Sequence, residues 1–227
     1  MCSSDLFGRN GTNESLSPSP VWQVHVSART AARASAFGVV LDVNGDGFAD
    51  AATGGTGLTA FVYHGSTAGL GATPARTYSG ATGSNFGVSV GAAGDVNGDG
   101  YGDLIVGAPG IETAYVYYGS ATGLGTRATL PSPALRSGFG SSVSWAGDVN
   151  DDGYGDVVVG ACWTACANAA YIFLGGASGI ATTPASTLTV TGATGVGRFV
   201  TGVGEVNDDA LDDVIVAWAA VLDRIPR

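Results

Sequence analysis

Residues 95–103 read Asp-Val-Asn-Gly-Asp-Gly-Tyr-Gly-Asp, and versions of this nonapeptide occur at three other places in the chain. It is DVNGDGFAD from Asp42, DVNDDGYGD from Asp148 and EVNDDALDD from Glu205, with starts 53, 53 and 57 residues apart. Three near-identical nonapeptides at a constant interval, with a decayed fourth, mark a structural repeat. The surroundings repeat as well. FGVSVGAAG (86–94) and FGSSVSWAG (139–147) precede two of the loops, and VGRFVTGVG (196–204) precedes the fourth. Phe37-Gly38 stands only five residues before the first loop and is out of register. After the loops come AATGGTG (51–57), LIVGAPG (104–110), VVVGACW (157–163) and VIVAWAA (214–220).

Each repeat therefore offers about four short strands. One ends at the acidic loop and the next follows it. A third is aromatic and β-branched: AFVYHGSTAGL (60–70), AYVYYGSATGL (114–124) and AYIFLGGASGI (170–180). A fourth falls near 74–79, 127–133 or 184–191. β-branched runs of about five residues favour strand over helix. Four strands in about 50 residues is the spacing of a propeller blade, whereas a β-sandwich has no reason to repeat every 53 residues. The expected fold is all-β, with propeller blades of four antiparallel strands and about four repeats. The expected divisions are a tail over 1–14 that reads as an artefact, a remnant strand of a preceding blade over 15–29, and blade repeats over 30–80, 81–133 and 134–191. A partial fourth repeat covers 192–227. The runner-up is a four-bladed ring closed by residues 20–28.

Composition agrees with this class. Charged residues make up 12% of the 227, hydrophobic residues 45%, and there are 38 glycines. That is too apolar for a disordered chain and lacks the glycine period of collagen. The net charge is −10, which disfavours nucleic acid as a partner. Fifteen of the 19 acids lie in the four loops, so the acidity is local. No apolar run reaches the length of a membrane span, and the first 20 residues lack the apolar stretch of a secretory signal.

Clustered carboxylates need a cation or a proton to coexist. In the loop from Asp95, positions 1, 3, 5 and 9 offer side-chain oxygens, position 7 offers its carbonyl, and Gly100 at position 6 permits a sharp turn. Calcium takes six to eight oxygen ligands in flexible geometry, and softer metals would need the His or Cys that these loops lack. The candidate ligands are Asp42, Asn44, Asp46, Phe48 and Asp50; Asp95, Asn97, Asp99, Tyr101 and Asp103; Asp148, Asn150, Asp152, Tyr154 and Asp156; and Glu205, Asn207, Asp209, Leu211 and Asp213. Position 12, the bidentate Glu of an EF-hand, is Thr53, Val106, Val159 or Val216 and lies within a strand, so this is a hairpin site. The competing reading is an acidic Asx-turn without metal. The expectation is three strong calcium sites and a weaker fourth, where Glu205 replaces Asp and Ala210 replaces the turn glycine.

The pattern resembles the FG-GAP repeat of integrin α-subunit propellers and their bacterial relatives. Phe86-Gly87, the Asp95–Asp103 loop and Gly107-Ala108-Pro109 carry the resemblance, and Phe139-Gly140, Asp148–Asp156 and Gly160-Ala161 repeat it. It covers roughly residues 30–220. The departures are Val196-Gly197 for Phe-Gly, and Thr53-Gly54-Gly55 where Gly-Ala-Pro is expected. The resemblance implies an incomplete piece of a seven-bladed propeller, extracellular or at the cell surface, with structural calcium and no catalysis. It would bind a protein or glycan through its inter-blade loops. The alternatives are a non-catalytic domain of a secreted hydrolase and a calcium-dependent lectin. Cys162 and Cys166 fall in a loop three residues longer than its counterpart in the second repeat and suggest a disulfide clip, with two buried free thiols as the alternative. The aromatic strand residues Phe61, Tyr63, Tyr115, Tyr117, Tyr118 and Phe173 suit sheet packing better than sugar stacking. Ser66 and Ser120 have no acid or base at a fixed offset to activate them.

Overall fold

Alternating apolar residues on strands cut by Gly-rich turns give a series of small antiparallel sheets, one for each repeat. The computed structural model describes residues 40–219 apart from 56, 135, 136, 163–165 and 208. The tail over 1–14, the remnant strand over 15–29, the ring-closing 20–28, Cys2, Phe37-Gly38 and the run from 220 lie outside the described residues. Blade 1 shows β1 (Ala51–Gly55), β2 (Thr59–Tyr63) and β3 (Arg76–Ser79). Blade 2 is β4 (Val90–Gly94), β5 (Asp103–Ala108), β6 (Thr113–Tyr117) and β7 (Arg127–Pro131). Blade 3 is β8 (Phe139–Gly147), β9 (Asp156–Cys162), β10 (Cys166–Phe173) and β11 (Ser186–Thr189). Blade 4 shows β12 (Thr194–Gly204) and β13 (Asp213–Ala219). Every pairing is antiparallel and joins chain neighbours, the up-and-down order of a propeller blade.

The core is a stack of slabs between blades. On β5, Leu104 and Val106 face blade 1, where they meet Val43 and Val62, with Phe86 of the second repeat beside them. Ile105 points the other way, into a slab with Phe139, Val143, Val157 and Val159 of blade 3. Val158 turns in the same sense toward blade 4 and meets Val200. Strand alternation thus serves two interfaces at once, and each fully buried Val or Ile contributes about 1.5–3 kcal/mol. Tyr117 and Phe173 are buried in these slabs, and Tyr115 packs against one of them, as sheet packing requires. Arg127 lies over the Tyr115 ring, 4.2 Å from its centroid.

Further contacts close the seams: a glycine contact at all three, and two more between blades 2 and 3 and between blades 3 and 4. A Cβ placed on Gly107 would lie 1.9 Å from the Gly140 carbonyl of the next blade, and Gly54 meets Gly87 and Gly160 meets Gly197 at the same distance. Gly87, Gly140 and Gly197 have φ of 80°, 89° and 83°, and a Cβ on any of them would strike the preceding blade's backbone. Hence Gly54 is the positional match of Gly107, and Gly197 keeps its role although Val196 replaces Phe. Ser89 Oγ accepts the Val143 N–H at 3.0 Å, and Ser142 Oγ accepts the Val200 N–H at 3.0 Å. At the next step of the series Phe199 stands in the serine's place, 66% exposed, and Ala217 stands in the glycine's place. A seam of the same geometry on that face would have to shift. Finally, the Glu112 carboxylate accepts the N–H groups of Ser137 and Gly138 at 2.9 and 3.1 Å and also the Ser137 hydroxyl. In the next blade Asn168 Oδ1 accepts the Gly195 N–H at 2.6 Å.

The cysteines stand differently from the expectation. They end β9 and begin β10, facing each other in register across residues 163–165, instead of lying inside the loop. Cys162 is disulfide-bonded.

Gly107→Ala should therefore destabilise the fold by about 3 kcal/mol or more. Gly125→Ala, whose added Cβ would meet nothing closer than Tyr118 O at 3.9 Å, should cost less than about 0.5 kcal/mol. Urea denaturation of both variants checks this. Burial works to raise the Glu112 pKa, but hydrogen bonds from Ser137 and Gly138 outweigh it and hold the carboxyl below its usual value. A depressed folded-state pKa contributes stability above the unfolded value, lost as pH falls through the folded one. Glu112→Gln should accordingly lower stability at pH 7, and the gap from the parent should close toward pH 3.

Candidate metal centre

Three of the four acidic loops join the first strand of a blade to its second, and the first leads into the strand that follows it. Loop 2 links β4 to β5, loop 3 links β8 to β9, and loop 4 links β12 to β13. Loop 1 runs into β1.

Within loop 2 the first carboxylate organises the turn. Asp95 Oδ1 accepts the N–H groups of Gly98 and Asp99 at 2.7 and 3.1 Å, and Oδ2 accepts that of Gly100 at 2.8 Å. Asn97 Oδ1 accepts the Asp99 N–H, its amide donates to Asp99 Oδ2, and Asp99 Oδ1 accepts the Tyr101 N–H. Loop 1 repeats each of these bonds, with Asp42 on Gly45, Asp46 and Gly47, Asn44 bridged to Asp46, and Asp46 on Phe48. In loop 3, Asp148 holds Asp152 and Gly153, Asn150 bridges to Asp152, and Asp152 accepts the Tyr154 N–H. Position 6 needs positive φ in every loop: Gly47 84°, Gly100 88°, Gly153 90° and Ala210 72°.

The last Asp has a different environment. Asp103 is fully buried; its Oδ2 accepts the Val96 N–H at 2.9 Å and its Oδ1 accepts the Gly119 N–H at 2.7 Å. Asp50 binds Val43 and Gly65 in the same way, and Asp156 binds Val149 and Gly175. This residue welds the loop to the turn after the third strand. The role of those turn glycines was not legible along the chain, although Gly65-Ser66, Gly119-Ser120 and Gly175-Gly176 recur there. Burial pushes Asp103 up to about 7 against the pull of the Gly119 and Val96 amides, and Asp95 and Asp99 push it further. Asp156 rises to about 6 for the same reasons, with Asp152 and Asp148 as its like-charged neighbours.

The loops thus bring positions 1, 3, 5 and 9 together along the backbone. Among the described residues no three Asp, Glu, His or Cys side chains converge on one point. The carboxylates of loops 1–3 are turned onto N–H groups, yet each oxygen has two lone pairs and can accept more. The donor set is all oxygen, and a buried carboxylate pressed by like charges is what a hard dication would relieve. The residues of loops 1–3 fit such an ion. In loop 4, Glu205 Oε2 still takes the position-6 N–H of Ala210 at 2.6 Å, but Oε1 reaches Asn207 N–H at 2.8 Å. Asn207 Oδ1 still accepts the Asp209 N–H and Asp209 Oδ1 the Leu211 N–H, and Asp213 Oδ2 accepts the Val206 N–H at 3.0 Å.

Ala210, which replaces the turn glycine, also takes a positive φ, where a Cβ costs about 1–2 kcal/mol. Ala210→Gly should tighten calcium at loop 4 by several-fold, and loops 1–3 should fill before it at limiting calcium. Isothermal titration of the variant and its parent checks both.

Residues 86–121 match the FG-GAP repeat model. Integrin alpha-6 of Homo sapiens is 33% identical over 141 residues, covering 56% of this chain and 12% of that protein. Integrin alpha-3 of Cricetulus griseus is 38% identical over 98 residues, 38% of this chain and 9% of that protein. Integrin alpha-IIb of Mus musculus is 40% identical over 84 residues, 34% of this chain and 8% of that protein. The chain therefore spans about an eighth or less of the length of these relatives. Residues 86–121 thus carry an FG-GAP repeat, and the described residues form blade-type sheets in series in a chain that is similar to integrin α-subunits.

Proposed function

We propose that this chain is a calcium-binding FG-GAP propeller segment that serves as an extracellular binding or adhesion scaffold. The observation that supports it best is the threefold recurrence of one oxygen-only donor set, with one hydrogen-bond pattern, at the same edge of successive blades. Calcium would be held by positions 1, 3, 5, 7 and 9 of each loop and would supply structural cross-linking there. Asp103 and its equivalents already join loop to turn, so an ion at the loop would lock two connections of the blade together. The partner, a protein or glycan, would meet the inter-blade loops.

No catalysis is assigned. The hydroxyls of Ser66 and Ser120 donate to the carbonyls of Gly69 and Gly123 at 2.9 and 2.6 Å, which ties both into their turns. No described helix is long and apolar enough to cross a membrane. The extracellular placement draws on the integrin relatives and on the disulfide at Cys162, a bond that persists in oxidising compartments.

Calcium should raise the melting temperature, with a stabilisation of about 2.7 kcal/mol per site at a hundredfold excess over its dissociation constant. Thermal melting with calcium and with chelator tests this, and coincident midpoints would overturn it.

A further inference from the structure

One peptide unit at each seam belongs to two loops. The Gly102 N–H donates to the Asp42 carbonyl at 2.7 Å, the Gly155 N–H to the Asp95 carbonyl at 2.8 Å, and the Asp212 N–H to the Asp148 carbonyl at 3.3 Å. The acceptor is position 1 of its loop, whose carboxylate would be the entering ligand. The donor is position 8 of the following loop. Its N–H lies in the same peptide plane as the carbonyl of position 7, Tyr101, Tyr154 or Leu211, the backbone ligand of that loop. A metal drawn to this carbonyl therefore fixes the plane that holds the preceding loop's first ligand.

The loops also touch elsewhere. The Ser120 N–H donates to the Val43 carbonyl at 3.0 Å and the Gly176 N–H to the Val96 carbonyl at 2.9 Å. A Cβ on Gly45 would lie 2.7 Å from the Tyr101 ring, and one on Gly98 would lie 2.7 Å from the Tyr154 ring. Position 4 of one loop is thus the floor for the position-7 side chain of the next.

We infer that calcium fills neighbouring loops with positive cooperativity, transmitted through the peptide unit between positions 7 and 8. The inference rests on the calcium reading proposed for these loops. A cation on the carbonyl polarises the unit, strengthens its N–H as a donor and orders the residue that accepts from it. The preceding loop then has less left to organise when its own ion arrives, and the coupling is reciprocal by linkage. Electrostatics acts with the opposite sign, because two bound dications repel each other. The sign of the cooperativity therefore separates the two effects.

The test is a calcium titration of the ¹⁵N-labelled full chain, followed at the amides of Gly47, Gly100 and Gly153. The three curves should rise together with Hill coefficients above about 1. Asp99→Ala removes one ligand from the exposed part of loop 2 and leaves Gly102 in place. Loops 1 and 3 should then titrate singly, with Hill coefficients near 1 and affinities about fivefold weaker or more. Asp151→Asn, which removes a charge but no ligand, should keep the steep curves, and Asp209→Ala should leave loop 1 unchanged. Independent or anticooperative filling in the parent, unchanged loops 1 and 3 in Asp99→Ala, or curves flattened by Asp151→Asn would each overturn the inference. Amides that do not move up to millimolar calcium would overturn the calcium reading itself, and the inference with it.

Discussion

The close approach of two glycines across each seam is the constraint on which the rest depends. Gly54, Gly107 and Gly160 each admit the carbonyl of Gly87, Gly140 or Gly197 into the space where a Cβ would stand. Backbone then lies against backbone, and the sheets come close enough for their branched side chains to fill the gap without voids. The Phe-Gly and Gly-Ala-Pro signatures of this repeat are, in structural terms, two halves of one contact made between blades. Each half belongs to a different copy, so the repeat read along the chain is offset from the contact that makes it necessary.

That spacing also determines the relation between loops. With the blades held at one separation, position 8 of each loop comes within hydrogen-bond reach of position 1 of the loop before it. The acidic edge is therefore a chain of linked turns. Each turn closes on its own carboxylates, and loops 1–3 each end on a buried Asp that two backbone amides hold. Burial and the neighbouring acids raise that Asp while the amides lower it, and the outcome is a carboxyl poised near 7 in loop 2. The same group is both the anchor of the hairpin and a candidate ligand, so a cation bound there would act directly on blade integrity.

In the fourth repeat the same signals are weaker and the geometry adjusts. Its loop keeps the backbone path with Ala210 in a conformation suited to glycine, and Glu205 spans the turn by a different pair of amides. Phe199 and Ala217 replace the serine and glycine with which the earlier blades receive their successors. Its inner face still packs well, since Val200, Val214 and Val216 meet blade 3.

Much of this was legible in the sequence because the information is local and repeated. Nine residues recurring at near-regular intervals specify a turn, its ligand-type oxygens and, in the first three copies, its glycine with positive φ, and the runs beside it specify strands. The positive φ at position 6 followed from residue type alone. The cysteines were legible as a pair, but their place at the strand ends required the register of β9 and β10. Ser89, Glu112 and the turn glycines Gly65, Gly119 and Gly175 were not legible, because their partners lie 15 to 54 residues away. The sequence by itself determined the repeat, the strand type and the chemistry each loop offers, since these depend on neighbours along the chain. Only the tertiary structure decided which glycines meet, which serine caps the next blade and which peptide serves two loops, since these depend on the packing of one sheet against another.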